Sequence, residues 1–156
     1  MVLPNGYDES DINQIERKKS PKFRILHTGN LLAHQNPRVL WQSLQQLLQK
    51  KSDFKKNLEI CFTGNTHKSI LDSLRRFGLL PFFKFQPFLP HNLILSEIVN
   101  STVLLVIIPE MKNSVSIIPA KLFEYIGTRN PILIIGPQNG DAAEIISQIP
   151  NSTICE

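Results

Sequence analysis

One short stretch concentrates groups that could do chemistry. Pro119-Ala120-Lys121-Leu122-Phe123-Glu124-Tyr125 reads as a helix opening, with proline where the first turn has no hydrogen bond to lose. Lys121 falls in that first turn, where an ammonium opposes the helix dipole by ~0.3–1 kcal/mol. A bound anion would remove the conflict; the plainer alternative is a solvated surface lysine. An ionised carboxylate has two acceptor oxygens and can take hydrogen bonds from a pair of sugar hydroxyls, so Glu124 is a second candidate, or simply a surface acid. Gly29 and Gly64 each follow an apolar run inside a Thr-Gly-Asn triplet, where glycine lets the backbone turn and a ligand approach. His27, His34, His67 and His91 are scattered, with no metal-ligand spacing. No Gly-x-Ser-x-Gly elbow, Walker lysine loop or Gly-x-Gly-x-x-Gly occurs, and spacing marks no general acid–base pair. Such a set suits a domain that binds and positions a phosphate ester while the reaction is completed against something else.

The elements that must position these groups alternate. Apolar runs over 23–27, 58–62, 82–85, 102–108 and 131–135 read as strands, with a last one over 152–155. Between them, Leu40, Trp41, Leu44, Leu47 and Leu48 form a helical stripe after Pro37, and Ile70, Leu71, Leu74 and Phe77 a second, stopped by Gly78. Residues 92–99 read as a short helix, 119–126 as a helix closed by Gly127, and 141–149 as a helix capped by Asp141. The run Val103 to Ile108 has no polar alternation, as expected for a strand buried on both faces of a parallel sheet. The expected architecture is therefore α/β: a Rossmann-like three-layer domain with a mostly parallel sheet of about six strands. In such a sheet, ligands bind beyond the carboxyl ends of the strands at the switch in strand order. Residues 1–20 stand outside the alternation and read as a linker or an incomplete leading element, leaving 21–156 as the domain.

Composition narrows the rest. With 156 residues and 42% hydrophobic content, the chain suits one folded domain. The net charge of +4 comes from short basic runs, Arg17-Lys18-Lys19 to Arg24 and Lys50-Lys51 with Lys55-Lys56. They read as solvated loop charges, or as a face for phosphate or anionic lipid. No zinc spacing or aromatic–basic interleaving points to nucleic acid. Two cysteines, Cys61 and Cys155, make no disulfide framework and fit a reducing compartment. The longest aliphatic run is too short to span a bilayer, and the first residues lack a signal-peptide layout.

Several blocks resemble the C-terminal, donor-binding domain of family-four GT-B glycosyltransferases. They are Pro119 to Gly127, Arg129-Asn130-Pro131-Ile132-Leu133, and Gly140-Asp141-Ala142-Ala143-Glu144-Ile145-Ile146. In the expected order, Leu3-Pro4-Asn5-Gly6-Tyr7-Asp8 resembles the interdomain crossover. Thr28-Gly29-Asn30 with Asn36-Pro37-Arg38 resembles the first glycine loop, and Phe88-Leu89-Pro90-His91 the turn after the third strand. The resemblance implies the C-terminal lobe of a GT-B fold, a nucleotide-sugar donor, no metal or other cofactor, and retention of configuration. It implies transfer to an acceptor glycan or glycolipid in surface polysaccharide synthesis. The location would be the cytoplasm or the inner face of its membrane, with peripheral membrane contact by a full-length enzyme. The N-terminal acceptor lobe would be absent, leaving this piece inactive alone.

By position, Glu124 falls on the carboxylate that holds the donor ribose, and Phe88 and Leu89 on the stretch lining the base. Gly29, Asn30, Gly64 and the residues Ile117, Ile118, Lys121 and Leu122 fall on the diphosphate and sugar region. The pattern departs at Ser116, where a first glutamate is usual, at Ile117-Ile118-Pro119 in place of Phe-Gly-Leu, and at Asn30 and Gln35, where cations are usual. Lys121 and Arg38 remain to meet the diphosphate, and Lys121 is the candidate for stabilising the leaving group. Two alternatives stay open: a non-catalytic nucleotide- or phosphate-binding α/β module, and a fragment of a GT-B nucleotide-sugar epimerase.

Overall fold

A computed structural model describes residues 6–18 and 20–156. Leu3, Pro4 and Asn5 of the crossover-like segment, and Lys19 of the first basic run, lie outside the described residues. The elements are α1 (Glu9–Asn13), β1 (Phe23–Thr28), α2 (Arg38–Lys50), α3 (Ser52–Asn57), β2 (Leu58–Thr63), α4 (Lys68–Arg76) and β3 (Phe83–Gln86), then α5 (His91–Val99), β4 (Val103–Ile107), α6 (Lys121–Thr128), β5 (Ile132–Ile135), α7 (Asp141–Ser147) and β6 (Thr153–Cys155). All pairings are parallel, in the order β3-β2-β1-β4-β5-β6. The switch in strand order therefore falls between β1 and β4.

Period-two side-chain alternation splits the core between the two faces. On one face, Trp41 and Leu44 of α2 and Ile70 and Leu74 of α4 pack on Ile25, Ile60, Phe62, Leu105 and Ile107. On the other, Leu95 and Ile98 of α5, Leu122 and Tyr125 of α6, and Ala142 and Ile146 of α7 pack on Leu26, Cys61, Leu104, Val106, Ile132 and Ile134. Leu104 and Leu105 face opposite ways and both are fully buried, which is why β4 needs an unbroken aliphatic run. Burying each such side chain contributes about 1.5–3 kcal/mol.

Three local expectations are corrected. α3 fills residues 52–57, where no helix was expected, because its six residues offer only Phe54 as an apolar contact and so leave no stripe to read. Gly127 does not stop α6; it lies inside the helix, which ends instead at Arg129 in the left-handed region (φ 59°). A Cβ on Gly127 would come within 2.5 Å of Tyr7 and 2.7 Å of Ile12, so this glycine admits the N-terminal segment against α6. Asp141 is the first helical residue of α7 and Gly140 holds the cap position. Residues 9–13 form a helix, capped by Asp8 accepting from Ser10 N–H at 2.8 Å.

That N-terminal segment is fastened further along. Arg17 donates to the Thr128 carbonyl and, at 2.8 Å, to Asn130 Oδ1. Asn130 Nδ2 in turn donates to the carbonyls of Ile98, Val99 and Ser101 at 2.9–3.0 Å. One amide thus joins the ends of α5 and α6 to the entry of β4.

Candidate functional site

The candidate site is built on the carboxyl end of β1. Gly29 (φ 89°) and Gly64 (φ 109°) turn the chain out of β1 and β2 in a conformation that favours glycine. Gly29 N–H donates to Thr63 O at 2.7 Å and Leu31 N–H to Asn65 O at 2.8 Å, so the two Thr-Gly-Asn turns run on side by side after the strands end. A Cβ on Gly64 would sit 2.9 Å from Gly29 O. The repeated triplet is therefore one two-layered turn.

Above it lies α6. Lys121 and Tyr125 are four residues apart and so share a helix face. Both reach Thr28, the last residue of β1. The Tyr125 hydroxyl accepts from Thr28 N–H at 3.1 Å and shares a hydrogen bond with Thr28 Oγ1 at 3.0 Å. Lys121 Nζ donates to the Thr28 carbonyl. The same ammonium lies 3.4 Å from His27 Nε2 and 3.3 Å from where a Cβ on Gly29 would be. Burial pushes the Tyr125 phenol up to about 12, so it stays neutral.

The electrostatics are unusual for a half-buried lysine. Among the described residues no carboxylate comes within ion-pair distance of Lys121. Burial pulls its pKa down to about 8, only partly offset by the charge of Glu124. Burial, and then the neighbouring ammonium, pulls His27 down to about 3, so the ring is neutral. The result is a positive group at a helix start, over a glycine turn, held by neutral acceptors. Such an arrangement has the chemistry to accept an oxyanion.

The structure gathers only part of the expected set. Gly29, Gly64 and Lys121 meet at the strand ends, with exposed Asn30 directly after Gly29. Glu124 is half-buried one turn beyond Lys121 and accepts no hydrogen bond from any described residue. Phe88, 63% exposed, and half-buried Leu89 follow β3, the sheet's outer strand, two strands away from β1. Ile117 packs against the second core cluster, and Ile118 is exposed before α6. Arg38 is exposed at the start of α2 and lines an open groove of about 650 Å³ with His34, Ile107, Glu110, Ser114 and Gly136. Lys121 does not line that groove, so the two cations sit in separate places. Leu122 is a correction: it is fully buried in the core and its N–H is donated to Pro119 O at 2.9 Å, leaving neither surface nor donor for a ligand.

Sequence reasoning missed His27, Thr28 and Tyr125. Two signals were there: the four-residue spacing of Lys121 and Tyr125, and a histidine at the end of a strand with no exposed face. Among the described residues no cluster of histidine, cysteine and carboxylate side chains could hold a metal ion, and no helix is long and apolar enough to cross a membrane.

No family model matches the chain, and no curated protein matches it by sequence. Solved structures do match. The chain is similar to WaaG, a glycosyltransferase involved in lipopolysaccharide biosynthesis, with a TM-score of 0.61 at 15% identity over 94% of this chain and 36% of that one. It is similar to the C-terminal domain of a group 1 family glycosyl transferase, LpcC, from Francisella tularensis, with a TM-score of 0.61 at 15% identity over 95% of this chain and 72% of that one. TarM from S. aureus, in a complex with UDP, gives a TM-score of 0.64 at 9% identity over 93% of this chain and 27% of that one. The chain thus spans about a third of the length of WaaG. At these identities the likeness concerns the fold: a Rossmann-like domain of the kind that forms the C-terminal part of GT-B glycosyltransferases.

Proposed function

We propose that this chain, which folds as the C-terminal domain of GT-B glycosyltransferases does, is a donor-binding domain that takes a nucleotide-sugar by its diphosphate. One observation carries the reading. The Lys121 ammonium is held over Gly29 at the switch between β1 and β4, and its partners among the described residues are neutral acceptors. Departure of a nucleoside diphosphate places negative charge on the β-phosphate, and a fixed cation aimed at it lowers the barrier. Lys121 fills that role in this reading, and Glu124, which has no hydrogen-bond partner among the described residues, takes the ribose hydroxyls. The exposed Phe88 offers an aromatic surface for the base. The UDP of the TarM complex supports uridine as the first nucleotide to try.

The finer parts of the reading follow the family. The acceptor, a surface glycan or glycolipid, binds a second lobe; transfer retains configuration, needs no metal, and takes place in the cytoplasm or at its membrane face. The isolated chain then binds nucleotide weakly and transfers no sugar. A thermal-shift panel of UDP-, GDP- and ADP-sugars tests the core claim. A ligand that binds only the folded state raises the melting temperature in step with its concentration over its Kd. A flat response to every nucleotide, up to the highest soluble concentration, would end the reading.

A further inference from the structure

We propose that His27 is a positioning residue for Lys121: with the Thr28 carbonyl it occupies two of the three ammonium N–H groups and leaves the third for an oxyanion above Gly29. The proposal rests on the nucleotide reading above for the identity of that anion, while the geometry of the ammonium stands on its own.

A lysine ammonium has three donors and no acceptor. One goes to Thr28 O and a second points to His27 Nε2 at 3.4 Å. The other ring nitrogen, Nδ1, lies 3.0 Å from the Leu105 carbonyl. A carbonyl oxygen only accepts, so Nδ1 carries the proton and Nε2 presents its lone pair to the lysine. The ring cannot swing away: it is 1% exposed and set edge-on against Phe62, with centroids 5.8 Å apart and planes at 76°. Among the described residues, the other titratable groups beside this arrangement are the neutral Tyr125 hydroxyl, which is bonded to Thr28, and Glu124 one turn along α6.

The choice of histidine has a physical reason. A carboxylate in its place would pair with Lys121 and cancel the charge a ligand needs. An apolar side chain would leave the ammonium in a half-buried site with a single acceptor. A neutral imidazole fixes the direction of the N–H groups and leaves the charge uncancelled.

Two substitutions separate the two ring nitrogens. His27→Asn puts polar atoms near the Nδ1 position and none at Nε2, whereas His27→Gln reaches the Nε2 position with an amide oxygen. With UDP and inorganic pyrophosphate as probes, affinity is expected to fall about tenfold in the Asn variant and to stay near wild type in the Gln variant. In the ligand-free protein, the NMR-detected titration of Lys121 Nζ is expected to move down by about one pH unit in the Asn variant only, the size of a lost hydrogen bond to a charged group. Equal probe binding by both variants with an unmoved Lys121 titration overturns the role of His27. If neither probe binds wild type, the nucleotide reading fails, and the Lys121 titration still reports whether His27 positions it. The wild-type protein supplies a check free of folding defects. The ¹⁵N shift of His27 must show Nε2 unprotonated; a proton there, turned to the Asn30 backbone, overturns the proposal.

Discussion

A half-buried cation lies at each end of β1, Arg24 on the strand itself and Lys121 reaching it from α6, and their partners differ in kind. At the start of the strand, Arg24 Nε meets Glu59 Oε1 and its Nη1 meets Glu97 Oε2, both at 2.6 Å. Glu59 Oε2 also takes Lys84 Nζ at 2.5 Å. Two cations and two carboxylates thus balance across β3, β2, β1 and α5. At the end of the strand, Lys121 has a carbonyl and an imidazole, both neutral. The difference separates a charge neutralised within the fold, Arg24 on β1, from one that is not, Lys121 reaching the end of β1 from α6. A paired cation has spent its field on the fold, whereas one fixed by neutral acceptors keeps it.

The comparison breaks if the two ends respond alike to mutation. Glu59→Ala leaves Arg24 and Lys84 facing each other around a nearly buried vacancy, and is expected to destabilise the domain by about 3 kcal/mol in urea unfolding. Burial opposes the Glu59 charge, but hydrogen bonds from Lys84 and Arg24 outweigh it and hold its pKa below the usual carboxylate value. Its contribution is therefore fully present above the ordinary value of 4.5 and is lost as pH falls through the lowered folded value. Nucleotide affinity of the folded fraction is expected to stay unchanged. Lys121→Met is the mirror image: UDP affinity falls about thirtyfold, near 2 kcal/mol, without loss of stability. A melting temperature lowered as far as that of Glu59→Ala would make Lys121 a structural residue.

The same contrast explains what could be seen in the sequence. Sheet type was legible because β4 is aliphatic at every position and needs two buried faces. α2 was legible because its apolar side chains recur on one face. Lys121 stood out because a cation at a helix start is locally unfavourable and so asks for a reason. α3 was not legible, since Phe54 alone gives no period. Gly127 was misread because sequence shows where glycine sits, while Tyr7 and Ile12 packing on it is a contact over more than a hundred residues. Leu122 was placed in the site by family position, although an apolar residue beside Tyr125 on α6 is better spent in the core. The Arg24 network and the His27–Lys121 contact join residues 25 to 94 apart in sequence, a distance no local pattern spans.

Tyr125→Phe sharpens the comparison at its hinge. The substitution keeps the buried ring but strands Thr28 N–H without an acceptor, an expected loss of about 1.5 kcal/mol. Because Thr28 O also holds Lys121, nucleotide affinity should weaken as well, several-fold and less than in Lys121→Met. An effect on stability alone would separate Tyr125 from the ligand site.

The smallest effect is the pH response of stability. Lys121 has a folded pKa near 8 against an ordinary value of 10.5. The unfolded chain therefore binds the proton more tightly between those values. Below about pH 8 both states are charged and the fold carries the full penalty of the half-buried ammonium; between about 8 and 10.5 the penalty fades as the folded state sheds its proton first. Other lysines titrate in this range, so the quantity to measure is the difference in unfolding free energy between Lys121→Met and wild type. That difference should be largest near pH 7 and shrink toward pH 10. Saturating UDP should abolish the trend, because a bound diphosphate returns the lysine pKa toward its ordinary value. The paired Arg24 end offers the control: removing Glu97 should change stability by an amount that stays flat over the same range.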